Sequence, residues 1–192
     1  SANNFLKTND LKIIDVQQNN IQKGSIIFFA TKKNNKLKQK KIVSDLLLLE
    51  EEKYLDDTKF VEFKKYIEKI RISVEKLKHH LKVDKKSICA FGAARSGPTL
   101  AIQYKMENIF SCIIDDHPSK IGKYAPFENL KVESSEYLVK FNPDYSVILA
   151  WIHNKNIVKN HLEYLKQGGT FIILWPDYKE ITIENYEKWL ND

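Results

Sequence analysis

Residues Ser87–Tyr124 read SICAFGAARSGPTLAIQYKMENIFSCIIDDHPSKIGKY, and this stretch decides the fold. An apolar run, Ile88–Phe91, stops at Gly92. A loop of small residues follows, Ala93-Ala94-Arg95-Ser96-Gly97, and Pro98 opens a helical segment, Thr99–Lys105. A second apolar run, Ile109–Ile114, ends on Asp115-Asp116. Strand, glycine turn, helix, strand, acid is the order of a βαβ nucleotide-binding unit. Gly92 and Gly97 permit a sharp turn and a close approach of backbone to a ligand or a facing strand. Pro98 suits the first turn of a helix, whose free N–H groups attract phosphate. Arg95 adds a planar cation that can fork onto phosphate oxygens. Asp115 falls about 20 residues past the loop, the place of a ribose-binding acid. Ala94 stands where the dinucleotide fingerprint has its middle glycine. The same pattern therefore also fits a Rossmann-like domain with an empty or repurposed crevice.

Downstream, Asp115–Tyr124 is polar and turn-rich at a strand's carboxyl end, where open α/β sheets bind ligands. Lys120, Lys123 and Tyr124 are placed there to meet a phosphate or a ring; a plain surface loop is the alternative. Leu130–Val132 reads as a short strand. Ser134–Phe141 reads as a short helix capped by Ser134 or Ser135. Tyr145–Trp151 is nearly all apolar, as parallel strands covered on both faces are. It ends at Ile152-His153-Asn154, and His153 is the histidine best placed for proton transfer, with a structural or N-cap role as the alternative. Lys155–Lys166 is expected as a helix closed by Gly168-Gly169. Thr170–Leu174 is the next strand, and Ile183–Leu190 a terminal helix.

Upstream, Leu11–Val16 and Ser25–Thr31 read as two antiparallel strands around a turn at Lys23-Gly24. A lone hairpin is marginal in water, so these strands look like the end of a sheet continued outside this chain. Ile42–Leu55 is helical, and Asp56-Asp57-Thr58 breaks and re-caps it. Thr58–Leu81 carries apolar residues at 60, 63, 67, 70, 74, 77 and 81, the stripe of a long amphipathic helix. The expected fold class is α/β: a Rossmann-like parallel sheet with flanking helices, preceded by a β-hairpin and a long amphipathic helix. The expected divisions are 1–41, a hairpin or tail of an upstream domain; 42–84, a helical connector; and 85–192, the Rossmann-like domain.

Composition bounds the partners. A net charge of +6 favours anions. The basic run Lys32–Lys41 has no interleaved aromatics and reads as a solvated loop, so no nucleic acid is expected. No apolar stretch reaches the roughly 20 residues of a membrane helix, and no signal-peptide pattern precedes the first strand. Cys89 and Cys112 lie inside predicted strands as small buried hydrophobes. His79 and His80 find no third ligand at a suitable spacing, so no metal is expected. The expected location is the cytoplasm.

Several of these blocks, in one order, resemble the C-terminal domain of S-adenosylmethionine-dependent nucleotide-sugar C-methyltransferases. A His-Gly-Gly-Ser-Leu-Arg-like turn is Gln22–Ile27 here. A Gly-x-Gly-Ala-(three residues)-Gly-Asn-Thr-Leu-like loop is Ala90–Leu100. An Asp-x-Asn-Pro-x-Lys-x-Gly-x-Tyr-x-Pro-Gly-like block is Asp115–Phe127. Pro-Asp-Tyr-(apolar)-Ala-Trp is Pro143–Trp151, and Gly-Gly-x-Phe-Ile is Gly168–Ile172. Departures are Ser96 at the family's basic position, with Arg95 one step earlier, and Gln22, Ile27, His117 and Phe127 for His, Arg, Asn and Gly. They bear on which sugar nucleotide is held more than on the fold.

The resemblance implies a zinc-binding region and a methyltransferase domain upstream, the latter holding S-adenosylmethionine and the main catalytic base. This chain is then an excised C-terminal domain or a stand-alone relative. It binds a nucleotide sugar and itself holds no cofactor. The expected substrate-binding residues are Gly92, Ala93, Ala94, Arg95, Ser96, Gly97, Asp115, Lys120, Lys123, Tyr124, Trp151 and His153. Two other readings stand beside it. One is an NAD(P)-binding oxidoreductase-type domain, opposed by Ala94 and the lack of a Ser-Tyr-Lys set. The other is a structural or interaction module, with the long helix as a docking or homodimer surface.

Overall fold

A computed structural model describes residues 2–21, 24–54 and 57–192. Gln22 and Lys23 of the family-like turn, and Leu55 and Asp56 at the expected helix break, lie outside the described residues. The chain divides into two compact units, residues 1–64 and 65–192.

In the first unit α1 (Ala2–Thr8) precedes β1 (Leu11–Asn19) and β2 (Ser25–Lys32), which pair antiparallel as expected. The register shifts between Ile13 and Asp15. α2 (Lys41–Tyr54) follows. Ile13, Val16 and Val43 form a small core, with Leu6, Leu46 and Leu47 packed against it. Residues 33–40 are exposed. They are tied to β1 where Lys40 pairs with Asp15 and Gln39 Nε2 donates to the Ile13 carbonyl at 2.9 Å. β2 keeps large apolar residues in the open: Ile26, Ile27, Phe28 and Phe29 are each 41–47% exposed.

α3 (Asp57–Val83) is the long helix. Its stripe is buried at Ile67, Ile70, Val74 and Leu77, whereas Phe60 and Phe63, in phase with that stripe, are 62% and 54% exposed. Periodicity marks a helix face; which part of the face is covered depends on what lies against it.

The second unit is built on six strands: β3 (Ile88–Phe91), β4 (Ile113–Ile114), β5 (Val132–Glu133), β6 (Tyr145–Ile148), β7 (Thr170–Ile173) and β8 (Lys179–Ile181). Their order is β5-β4-β3-β6-β7-β8. This is the doubly wound arrangement in which the first and fourth strands lie side by side. All neighbours run parallel except β8, which is antiparallel to β7. Alternation along the strands feeds two apolar layers. Ala90, Ile113, Val147 and Ile172 face α3 and α4 (Gly97–Gln103). Cys89, Phe91, Ile148 and Phe171 face α5 (Glu136–Phe141), α6 (Asn154–Asn160), α7 (Leu162–Lys166) and α8 (Tyr186–Asn191).

The structure corrects several sequence boundaries. The run Ile109–Ile114 is a strand only at its last two residues. The run Tyr145–Trp151 stops at Ile148, because the N–H groups of Leu149 and Ala150 both turn onto the Phe91 carbonyl, at 2.9 and 3.3 Å. Trp151–His153 then forms a 3₁₀ turn. Lys155–Lys166 is two helices, broken at His161 (φ −122°, ψ 39°), whose ring is held by Asp116 at 3.1 Å. Ser135 sits at the N-cap of α5 but is itself helical and makes no side-chain cap bond. The strand β8 had no sequence expectation, and the terminal helix starts at Tyr186 rather than Ile183.

Candidate functional site

The carboxyl ends of β3 and β6 define the site. Gly92 leaves β3 with φ +100°, and a Cβ there would lie 2.4 Å from the Cβ of Ala150. Only glycine lets the two strand ends approach this closely. The loop then closes through a Gly97 N–H to Ala94 carbonyl bond of 3.0 Å and runs into α4.

Asp115 supports this loop from the end of β4. Its Oδ2 accepts the Ala93 N–H and the Lys120 ammonium, each at 2.9 Å, and its Oδ1 accepts the His117 N–H at 2.9 Å. The residue is 8% exposed. Burial alone would raise its pKa, but Lys120 and the two peptide donors outweigh that and hold the carboxyl below its usual range. Of the roughly four acceptor positions on a carboxylate, three are thus taken by the protein. Asp115 is the strut of the glycine loop, and Lys120 is the counter-ion of that strut.

A cleft of about 250 Å³ lies against the loop. One wall is Gly92, Ala93, Ala94, Arg95, Gly97 and Pro98. The other is Ala125, Pro126 and Phe127, with Ile113 and Leu149 completing the lining. The second wall is pinned to the sheet: Ala125 N–H donates to Leu130 at 2.8 Å, and Gly122 N–H to Val132 at 2.8 Å. Arg95, exposed, is the one charged residue of this lining among the described residues.

Five of the expected residues, Gly92, Ala93, Ala94, Arg95 and Gly97, thus meet at the cleft. Ser96 occupies the N-cap of α4 without a side-chain cap bond. Asp115 and Lys120 stand behind the loop. Lys123 and Tyr124 are exposed beyond it, Tyr124 bridging to Lys131 through backbone. Trp151 packs edge-on to Trp175 at 6.5 Å, and neither Trp151 nor His153 lines the cleft. His153 is exposed at the N-cap of α6 and forms no side-chain cap bond there. Sequence reasoning missed Ile113, Ala125, Pro126, Phe127 and Leu149 as lining. The available signal was the apolar Ala125-Pro126-Phe127 triplet inside an otherwise polar loop.

Cys89 is fully buried, and burial pushes its thiol up to about 12, so it offers no thiolate at neutral pH. Among the described residues no cluster of three His, Cys, Asp or Glu could hold a metal, and no helix is long and apolar enough to cross a membrane.

UDP-D-quinovosamine 4-dehydrogenase from Vibrio fischeri aligns with a TM-score of 0.37 and 16% identity, over 53% of this chain and 97% of that one. The C-methyltransferase NovU of Streptomyces niveus is 27% identical over 184 residues, covering 94% of this chain and 44% of NovU. The chain thus spans less than half the length of that relative. The family described as C-methyltransferase C-terminal domain matches residues 20–176, from the end of β1 to beyond β7. The chain belongs to the family of C-methyltransferase C-terminal domains.

Proposed function

We propose that this chain is the nucleotide-sugar-binding domain of an S-adenosylmethionine-dependent sugar C-methyltransferase. The observation that carries the reading is the cleft against the glycine loop at the carboxyl ends of β3, β4 and β6, beside the point where strand order reverses, with Arg95 on its rim. Open α/β sheets bind ligands at this switch point, and a guanidinium there suits a diphosphate. The chain's own residues hold and orient the substrate. S-adenosylmethionine, bound by a preceding methyltransferase domain, supplies the methyl group.

That domain is also the proposed partner. Among the described residues β2 has a neighbour on one side only, β1. Its exposed Ile26–Phe29 give an edge and apolar surface of the kind that another sheet covers.

The test is a thermal-shift and calorimetric titration with UDP-glucose and dTDP-glucose as probes, beside NAD, NADP and S-adenosylmethionine. A ligand at about 100 times its Kd adds roughly 2.7 kcal/mol to the folded state. For a chain of this size that is a rise of about 5–10 °C. Arg95→Ala is expected to weaken sugar-nucleotide binding about tenfold or more, the loss of one charge-assisted bond. Unchanged affinity in that variant, or stabilisation by a nicotinamide dinucleotide instead, overturns the proposal.

A further inference from the structure

The segment 154–166 contains neither glycine nor proline, yet its helix breaks at His161. No residue there forbids the helix from continuing. Around the break the bonds tighten instead: the His161 N–H donates to the Val158 carbonyl and the Tyr164 N–H to the His161 carbonyl, each at 3.2 Å and three residues back. The imidazole at this junction meets two groups. Its ring lies 5.0 Å from the Phe91 ring, and its Nε2 lies 3.1 Å from Asp116 Oδ2. The His161 side chain is only 16% exposed.

Both of those groups border the glycine loop. Phe91 is the residue before Gly92, and its carbonyl takes the N–H groups of Leu149 and Ala150. Asp116 follows Asp115, whose carboxylate accepts the Ala93 N–H. The two consecutive acids therefore serve opposite layers. Asp115 supports the loop that runs into α4, and Asp116 is held by the junction of α6 and α7. Backbone bonds at this corner are few. β4 is two residues long, and its carboxyl end is tied by the Asp115 N–H to Glu133 at 3.0 Å and by the Gly92 N–H to Ile114 at 2.7 Å. Beyond those bonds, side chains hold the corner. Exposed ion pairs contribute little in part because two long side chains must be ordered. Asp and His are short, and the imidazole is already fixed by packing on Phe91, so this contact orders the corner at small entropic cost.

Building on the sugar-nucleotide reading above, we infer that His161 is a positioning residue of the site. Through Asp116 and Phe91 it fixes the glycine loop from the face of the sheet opposite the cleft. It touches no ligand itself. It keeps Asp115 against Ala93 before ligand arrives, so that the loop need not be ordered on binding.

The experiment combines amide hydrogen exchange with sugar-nucleotide titration, on the unaltered chain and its variants. His161→Phe keeps a ring against Phe91 and removes the hydrogen bond to Asp116. Asp116→Ala removes the other partner, and His161→Gln returns an N–H donor near the Nε2 position. His161→Phe and Asp116→Ala should each speed exchange of the Ala93 amide roughly three- to tenfold, the loss of one hydrogen bond, with the amides of β7 unchanged. Their affinities for UDP-glucose and dTDP-glucose should fall by a similar factor. The double variant should be no worse than either single one, and His161→Gln should recover most of both effects. Asp116→Ala changes a side chain that is 52% exposed, so it reports even where His161→Phe fails to fold. Equal acceleration at Ala93 and β7 would make His161 a general stabiliser and overturn the proposal. Unchanged Ala93 exchange, additive losses in the double variant, or faster exchange with unchanged affinity would overturn it as well. If no sugar nucleotide binds even the unaltered chain, the domain reading falls, and the exchange pattern alone decides whether His161 anchors the loop.

Discussion

The close approach of Gly92 to Ala150 can be tested by adding a single methyl group. In Gly92→Ala the new Cβ would meet the Ala150 Cβ at 2.4 Å and the Ala150 nitrogen at 2.9 Å, with the backbone held at φ +100°. Neither segment can retreat cheaply, because the N–H groups of Leu149 and Ala150 are both bonded to the Phe91 carbonyl. The backbone conformation costs an L-residue about 1–3 kcal/mol, and overpacking adds about 1–3 kcal/mol. The sum is roughly 2–6 kcal/mol, a large share of a domain's stability of about 5–15 kcal/mol. Gly168→Ala is the control: its φ is +90°, but nothing lies within 4 Å of the added methyl. It should lose only the backbone part, about 1–2 kcal/mol. Urea unfolding of both variants measures the difference. Gly92→Ala should exceed Gly168→Ala by at least ~1 kcal/mol. Equal losses, within about 0.5 kcal/mol, would refute the argument that strand-end contact rather than φ fixes this glycine. Because Gly92 and Leu149 both line the cleft, the folded fraction of Gly92→Ala should also bind sugar nucleotide more weakly.

Three further outcomes are expected. Burial works against the Asp144 carboxylate, but Lys86 and the Ser87 N–H and hydroxyl, at 2.7–2.8 Å, lower its pKa from 3.8 to about 2. A depressed carboxylate stabilises the fold above its unfolded value, and this is lost as pH falls from about 4 toward 2. The shift corresponds to about 2 kcal/mol, cut to ~1 kcal/mol for a side chain one-third exposed. Asp144→Asn should therefore cost about that at pH 7 and less at pH 2, and a pH-independent difference in unfolding free energy would contradict it. Asp115→Asn should speed hydrogen exchange at the Ala93 and His117 amides, which lose a charged acceptor contributing about 1.5–3 kcal/mol; unchanged protection at both would remove Asp115 as the loop's strut. Tyr164→Phe deletes a buried hydroxyl that donates to the Pro143 carbonyl at 2.8 Å, and should lower stability by about 1 kcal/mol without altering ligand affinity.

What the sequence determined by itself is local. The 3.6-residue stripe of α3, the apolar runs at β3, β6 and β7, and the glycine-bounded loop before Pro98 each follow from the conformational preferences of neighbouring residues. Their βαβ succession was enough to imply a mostly parallel sheet. Tertiary structure decided what meets what. The far wall of the cleft, Ala125–Phe127, and Leu149 come from segments separated from the glycine loop by up to about 50 residues, and no periodicity links them. Lys120 looked like a phosphate ligand until folding placed its ammonium 2.9 Å from Asp115. The early end of β6 and the break at His161 depend on bonds to Phe91 and Asp116, which no local propensity contains. Sequence fixes which backbone each segment favours, because that energy is set within a few residues. The site was only half legible because its chemistry depends on which side chains partner one another, and those partners are chosen when the sheet assembles.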